Sequence, residues 1–202
     1  ALPLIAEGLN LSSYQAELTM TLYLLGFGLS QPIYGPLSDH FGRRKILLLG
    51  LCVFLLGSYG CIMANSGISL LFSRLLTGIG AGACGTLNRA IACDRFEGVE
   101  FAKAWSYTTT ALVLTLIMAP VIGALVQKIS SWRAIFFTSF VFVAAILVII
   151  YFFLPETAQQ RPNLTKRNVF KQYRDIFTKK SFLVPTVIYS LTYAGLMAYF
   201  QI

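Results

Sequence analysis

Charged side chains are scarce in this sequence, and two groups of them stand where charge is hard to place. Gly35-Pro36-Leu37-Ser38-Asp39-His40-Phe41-Gly42-Arg43-Arg44-Lys45 is a short charged stretch between two apolar runs, with one acid followed by three consecutive bases. Glycines at either end let a backbone reverse tightly, so the spacing predicts a turn that clamps two helices through its charges. Arg74 is the second group. It lies inside an apolar run, six residues from the start, roughly 9 Å at 1.5 Å per residue. An arginine at the centre of such a run costs about 2.5–3.5 kcal/mol on insertion scales, unless it snorkels to the nearer surface. A fixed cation there would hold a neighbouring acid in its ionised form. Bond-making chemistry is not indicated. The single histidine, His40, stands in the charged turn, and no serine or cysteine has a plausible base beside it. Cys52, Cys61, Cys84 and Cys93 fall in or at the edge of apolar runs without metal-ligand spacing. The expectation is a protein that is not an enzyme and holds no metal.

The elements that must position these groups are apolar spans. The chain has 202 residues, 56% hydrophobic and only 12% charged, where soluble domains carry about 25% charged residues. A net charge of +8 could point to nucleic acid, but the bases are confined to loops between apolar runs, so the partner read here is membrane lipid and no nucleic acid is expected. Six runs, at residues 18–37, 46–64, 68–92, 105–126, 134–154 and 182–202, approach or exceed the roughly 20 residues that cross a bilayer core. Residues 155–181 form a basic linker, part of which (Val169, Phe170, Tyr173, Ile176, Phe177) reads as an amphipathic helix on the membrane surface. Thirteen Lys and Arg lie beyond the first, third and fifth spans or, for Arg89, near the end of the third, against two on the opposite side. Loops at 38–45, 93–103 and 155–181 are therefore expected on the cytoplasmic side.

The stretch at 35–44 resembles the loop between helices 2 and 3 of major facilitator superfamily transporters, Gly-x-Leu-(Ala/Ser)-Asp-(Arg/Lys)-x-Gly-(Arg/Lys)-(Arg/Lys). Gly35, Leu37, Ser38, Asp39, Gly42, Arg43 and Arg44 fit it, while His40 replaces the usual base. The resemblance implies an all-α membrane protein of the major facilitator fold, with six of twelve spanning helices present. The spans would be helices 2 to 7. Residues 1–154 would be the N-terminal half without its first helix, 155–181 the loop between halves, and 182–202 the first helix of the second half. It further implies that Gly35, Asp39, Gly42, Arg43 and Arg44 form a gate, a charge latch on the cytoplasmic side. His40, mostly neutral near pH 7, would weaken that latch, make it pH-sensitive, or simply face solvent.

Two further stretches extend the resemblance. Arg74-Leu75-Leu76-Thr77-Gly78-Ile79-Gly80-Ala81-Gly82 is similar to the helix 4 motif Arg-x-x-x-Gly-x-Gly-Ala-x of proton-coupled members, which implies a role for Arg74 in proton or substrate coupling. Thr115-Leu116-Ile117-Met118-Ala119-Pro120-Val121-Ile122-Gly123-Ala124 resembles the helix 5 antiporter motif Gly-x-x-x-Gly-Pro-x-x-Gly-Gly. Pro120 and Gly123 match, and Thr115, Ala119 and Ala124 are small stand-ins for glycine. Gly78 with Gly82, and Ala81 with Gly85, are small-residue pairs that let helices approach closely; with no preceding strand they are not a dinucleotide loop. The helices that face the cavity in this family carry Tyr23, Gln31, Asn88, Tyr107, Met118, Tyr189 and Tyr193. Such an aromatic, weakly polar wall suits a lipophilic small molecule better than a sugar. The nearest group is the Bcr/CflA drug-resistance exporters, which implies drug efflux across a bacterial inner membrane, driven by protons and without a cofactor. The proton-binding acid would then lie on helix 1, before Ala1. Rival readings are an exporter of one metabolite, such as a siderophore or sugar, and a membrane scaffold fragment that transports nothing.

Overall fold

The structure is a computed structural model and describes residues 2–9, 11–129, 131–157, 178, 183–188 and 190–192. It contains α1 (Leu2–Leu9), α2 (Ser13–Phe41), α3 (Arg43–Met63), α4 (Gly67–Arg95), α5 (Gly98–Ile129) and α6 (Trp132–Phe153). No strand occurs among the described residues. Residues 1–160 and 161–202 are separate units. In the second unit, residues 183–188 and 190–192 are helical, within the sixth expected span. The amphipathic linker helix, Tyr189 and Tyr193 lie outside the described residues.

Helix starts follow from side chains that satisfy the free amides of a first turn. Ser12 and Gln15 cap α2 reciprocally, at 3.3 and 3.1 Å. Ser66 and Ser69 do the same for α4, at 3.3 Å in both directions. Among the described residues, four helices are long and apolar enough to cross a membrane: α3, α4, α6 and residues 98–126 of α5. Length alone would also let α2 span with its 29 residues, but Thr19, Thr21, Ser30 and Gln31 dilute its apolarity.

Two sequence expectations change. Gly35 is not part of a turn, because α2 continues through Pro32 and Pro36 to Phe41. Where lipid offers no hydrogen bonds, a backbone stays helical as far as it can, and the reversal falls on Gly42 alone, at φ +100°. The charged segment 93–103 is mostly helix, since α4 runs to Arg95 and α5 begins at Gly98. Glu100 in the first turn of α5 suits the positive end of that helix. Residues 2–9, which carry no apolar span, form the short helix α1.

α4 packs most extensively against α2 and α3, and α6 packs along α3. Bare backbone makes the first two contacts possible. A Cβ on Gly78 would collide with the Tyr23 carbonyl, one on Gly80 would come within 2.6 Å of the Phe54 Cα, and one on Gly57 would come within 2.5 Å of the Thr77 nitrogen. The close approach expected at Gly78 and Gly82 is therefore present, and it extends to the α3 side. Buried side chains gather at two levels. Tyr34, Ile46, Leu47, Leu51, Ala83 and Leu87 pack with α6 near the charged turn; Ile5, Cys61, Ala64, Leu70 and Trp132 pack at the other end. By contrast α5 touches α4 and α6 only lightly, and residues 109–122 are exposed throughout.

Candidate functional site

Gly42 turns the chain so that Arg43 opens α3 beneath the last turn of α2. The Arg43 guanidinium then meets three oxygens: Asp39 Oδ1 at 2.6 Å, Asp94 Oδ2 at 2.9 Å and Ser38 Oγ at 2.5 Å. Asp39 and Ser38 belong to the last turn of α2, and Asp94 to the last turn of α4. Helix ends of that polarity carry partial negative charge from unpaired carbonyls, so one cation answers two carboxylates and two helix termini. The start of α3 has the opposite need. Glu156, just beyond α6, meets it by accepting from the Arg43 amide at 2.8 Å and the Arg44 amide at 3.4 Å. Arg44 donates to the Tyr151 carbonyl and lies 5.6 Å from the Tyr151 ring centre. The cluster thus ties together one end each of α2, α3, α4 and α6. His40 is exposed and packs edge-on against Phe41 at 4.6 Å.

A second clamp holds the other end of α3. Arg133, in the first turn of α6, donates from Nε to the Ile62 carbonyl at 3.1 Å and from its terminal nitrogen to the Ala64 carbonyl at 2.9 Å. Its guanidinium also lies 4.4 Å from the Trp132 ring centre. Both ends of α3 are therefore capped from α6 and its flank, an acid at the positive end and a base at the negative one.

Arg74 sits in the second turn of α4, partly buried. Its guanidinium carbon is 4.8 Å from the centre of the Tyr23 ring on α2 and 5.5 Å from that of Phe136 on α6. Among the described residues no carboxylate forms an ion pair with it.

The other expected site residues are dispersed. Met118 and Gly123 line an open apolar groove of about 570 Å³ between α5 and α6, with Thr115, Ala119, Thr138 and Ser139. Pro120 is exposed on the same helix. Tyr107 is 77% exposed, Asn88 is exposed, and the Gln31 carbonyl accepts from Thr86 at 3.4 Å. Asp94, Glu156, Arg133 and Phe136 carry contacts that the sequence reading did not assign. One signal could have pointed to the two acids. Three consecutive bases need counter-charges, the chain holds eight acids, and Asp94 and Glu156 end spans on the same side as those bases.

A family model described as Major Facilitator Superfamily matches residues 1–202. Multidrug resistance protein D of Escherichia coli (strain K12) is 28% identical over 179 residues, covering 88% of this chain and 45% of the relative. Multidrug resistance protein MdtL of Shigella dysenteriae serotype 1 (strain Sd197) is 27% identical over 198 residues, covering 98% of this chain and 50% of the relative. The chain thus spans about half the length of these relatives. The crystal structure of the human organic anion transporter MFSD10 (TETRAN) superimposes with a TM-score of 0.62 at 24% identity, over 79% of this chain and 38% of that one. That likeness shows the fold.

Proposed function

Because this chain belongs to the Major Facilitator Superfamily, we propose that it is most of the first half, the linker and the first helix of the second half of a proton-coupled exporter of lipophilic small molecules in a bacterial inner membrane. The observation that carries the reading is its similarity, over 88% and 98% of its length, to two multidrug resistance proteins. The geometry supports it. Alternating access needs a latch whose contacts differ between two conformers, and the Arg43 cluster joins four helix ends through two ion pairs and charge-assisted hydrogen bonds on one side of the membrane. Coupling to protons needs a charge that acts within the span, and Arg74 is placed there between two aromatic rings. In this reading Asp39, Arg43 and Arg44 bias the gate, Arg74 couples it to protons, and Pro120 with Gly123 shapes α5. The proton gradient drives the cycle without a cofactor, and the work is transport rather than catalysis.

The test is efflux of a lipophilic dye from cells expressing the full reading frame, beside Arg74→Ala and Asp39→Asn at matched expression. Efflux that collapses with an uncoupler and is lost in Arg74→Ala is the expected result. Efflux indifferent to the uncoupler would overturn proton coupling. Absence of efflux for every compound tested, from well-folded protein, would move the reading to export of one metabolite or to a scaffold.

A further inference from the structure

An aromatic face attracts a cation without cancelling its charge, and Arg74 is held by two of them. Tyr23 comes from α2 and Phe136 from α6, with ring centres 4.8 and 5.5 Å from the guanidinium carbon. Had a carboxylate taken that place, the pair would act at a distance as a dipole, whose field fades faster than that of a single charge. The ring quadrupoles are short-ranged, so the field of Arg74 persists beyond them. In surroundings of low effective dielectric such a field reaches further than it would in water.

The rings are themselves fixed. Gly78 lies one turn beyond Arg74, on the same face of α4, and the absence of a side chain there lets the Tyr23 backbone close in. Phe136 packs edge-on against Trp132 at 6.1 Å, and Trp132 is buried with Ile5, Cys61, Ala64 and Leu70. Three helices therefore converge on one guanidinium.

We propose that Tyr23 and Phe136 are positioning residues that hold Arg74 as a cation which no carboxylate of the described residues neutralises, so that its field acts on the proton-carrying acid of the transporter. This rests on the reading of Arg74 as the coupling residue. The full reading frame in native membranes allows two measurements. Modification of Arg74 by phenylglyoxal, followed by peptide mass spectrometry, reports how well the rings guard it. Tyr23→Leu and Phe136→Leu are expected to raise the modification rate about fivefold, while Tyr23→Phe and Phe136→Tyr retain the protection. Proton-driven dye efflux is expected to fall about tenfold in each leucine variant, with no further loss when either is combined with Arg74→Ala. Unchanged modification rates in the leucine variants would overturn the proposal. So would faster modification with full efflux while Arg74→Ala is inactive. Full efflux in Arg74→Ala would instead overturn the coupling reading, recognisable because the modification rates would still show the rings guarding Arg74.

Discussion

Arg43 Nε lies 2.9 Å from Asp94 Oδ2, joining the first turn of α3 to the last turn of α4 across 51 residues of sequence. The same guanidinium holds Asp39 at 2.6 Å, yet the two pairs are not equivalent. The Asp94 side chain is 15% exposed and that of Asp39 42%, so water screens the second pair far more than the first. Asp94→Asn is therefore expected to destabilise the protein by about 2 kcal/mol, and Asp39→Asn by less than about 1 kcal/mol. Thermal unfolding of the purified variants in detergent gives the order. Equal losses would mean that burial does not set the difference.

Gly42 and Glu156 make one junction that two kinds of substitution disturb differently. Gly42→Ala puts a side chain at φ +100° and brings its Cβ within 2.5 Å of the Glu156 carboxylate; the backbone conformation alone costs about 1–3 kcal/mol. Glu156→Gln keeps an acceptor and removes the charge, a loss of about 1 kcal/mol. Amide hydrogen exchange should quicken at Arg43 and Arg44 in Glu156→Gln, with little change at the centre of α3.

Arg133 acts through the shape of its guanidinium as well as its charge. Arg133→Lys keeps the charge but loses the fork that reaches both Ile62 and Ala64, an expected cost of about 1 kcal/mol. Arg133→Gln should cost about 2 kcal/mol, since charge-assisted hydrogen bonds are worth about 1.5–3 kcal/mol. A lysine variant as unstable as the glutamine one would show that geometry, not charge, dominates.

Glycines in these helices should divide sharply on replacement by alanine. At Gly78 the added carbon collides with the Tyr23 carbonyl, whereas at Gly123 it meets nothing within 4 Å. Gly78→Ala should destabilise by about 2 kcal/mol. Gly123→Ala should be neutral, or stabilise by up to about 1 kcal/mol, since glycine weakens a helix interior. Unfolding midpoints of the two single variants decide this, and similar shifts would contradict the close α2–α4 contact.

Much of this arrangement is legible in the sequence because its signals are local. Long apolar runs mark four helices, the spacing from Gly78 to Gly82 marks a close helix contact, and the motif around Asp39 and Arg43 marks the charged turn. What was not legible depends on distance along the chain. Glu156 reaches Arg43 across 113 residues and Arg133 reaches Ile62 across 71, and no periodicity encodes such pairings. Gly35 was misread for a different reason. Glycine next to proline reads as a turn in isolation, but α2 keeps its own hydrogen bonds where it packs along α4, and the reversal waits for Gly42. The scatter of Tyr107, Met118 and Asn88 has the same origin, since facing is set by packing that residue type does not reveal.

The capping of α3 from α6 also has a schedule. The carbonyls of Ile62 and Ala64 must wait for Arg133, and the amide of Arg43 for Glu156, 71 and 113 residues after Ile62 and Arg43 respectively. At ribosomal speeds of about 5–20 residues per second, α3 leaves synthesis with its ends bare for roughly 4–23 s. During that interval its termini are left to water and lipid headgroups, and although α4 is already there to pack against, the capping of α3 is complete only when α6 and its flank emerge. Nascent chains that stop between the two helices would carry α3 uncapped, a state open to membrane proteases.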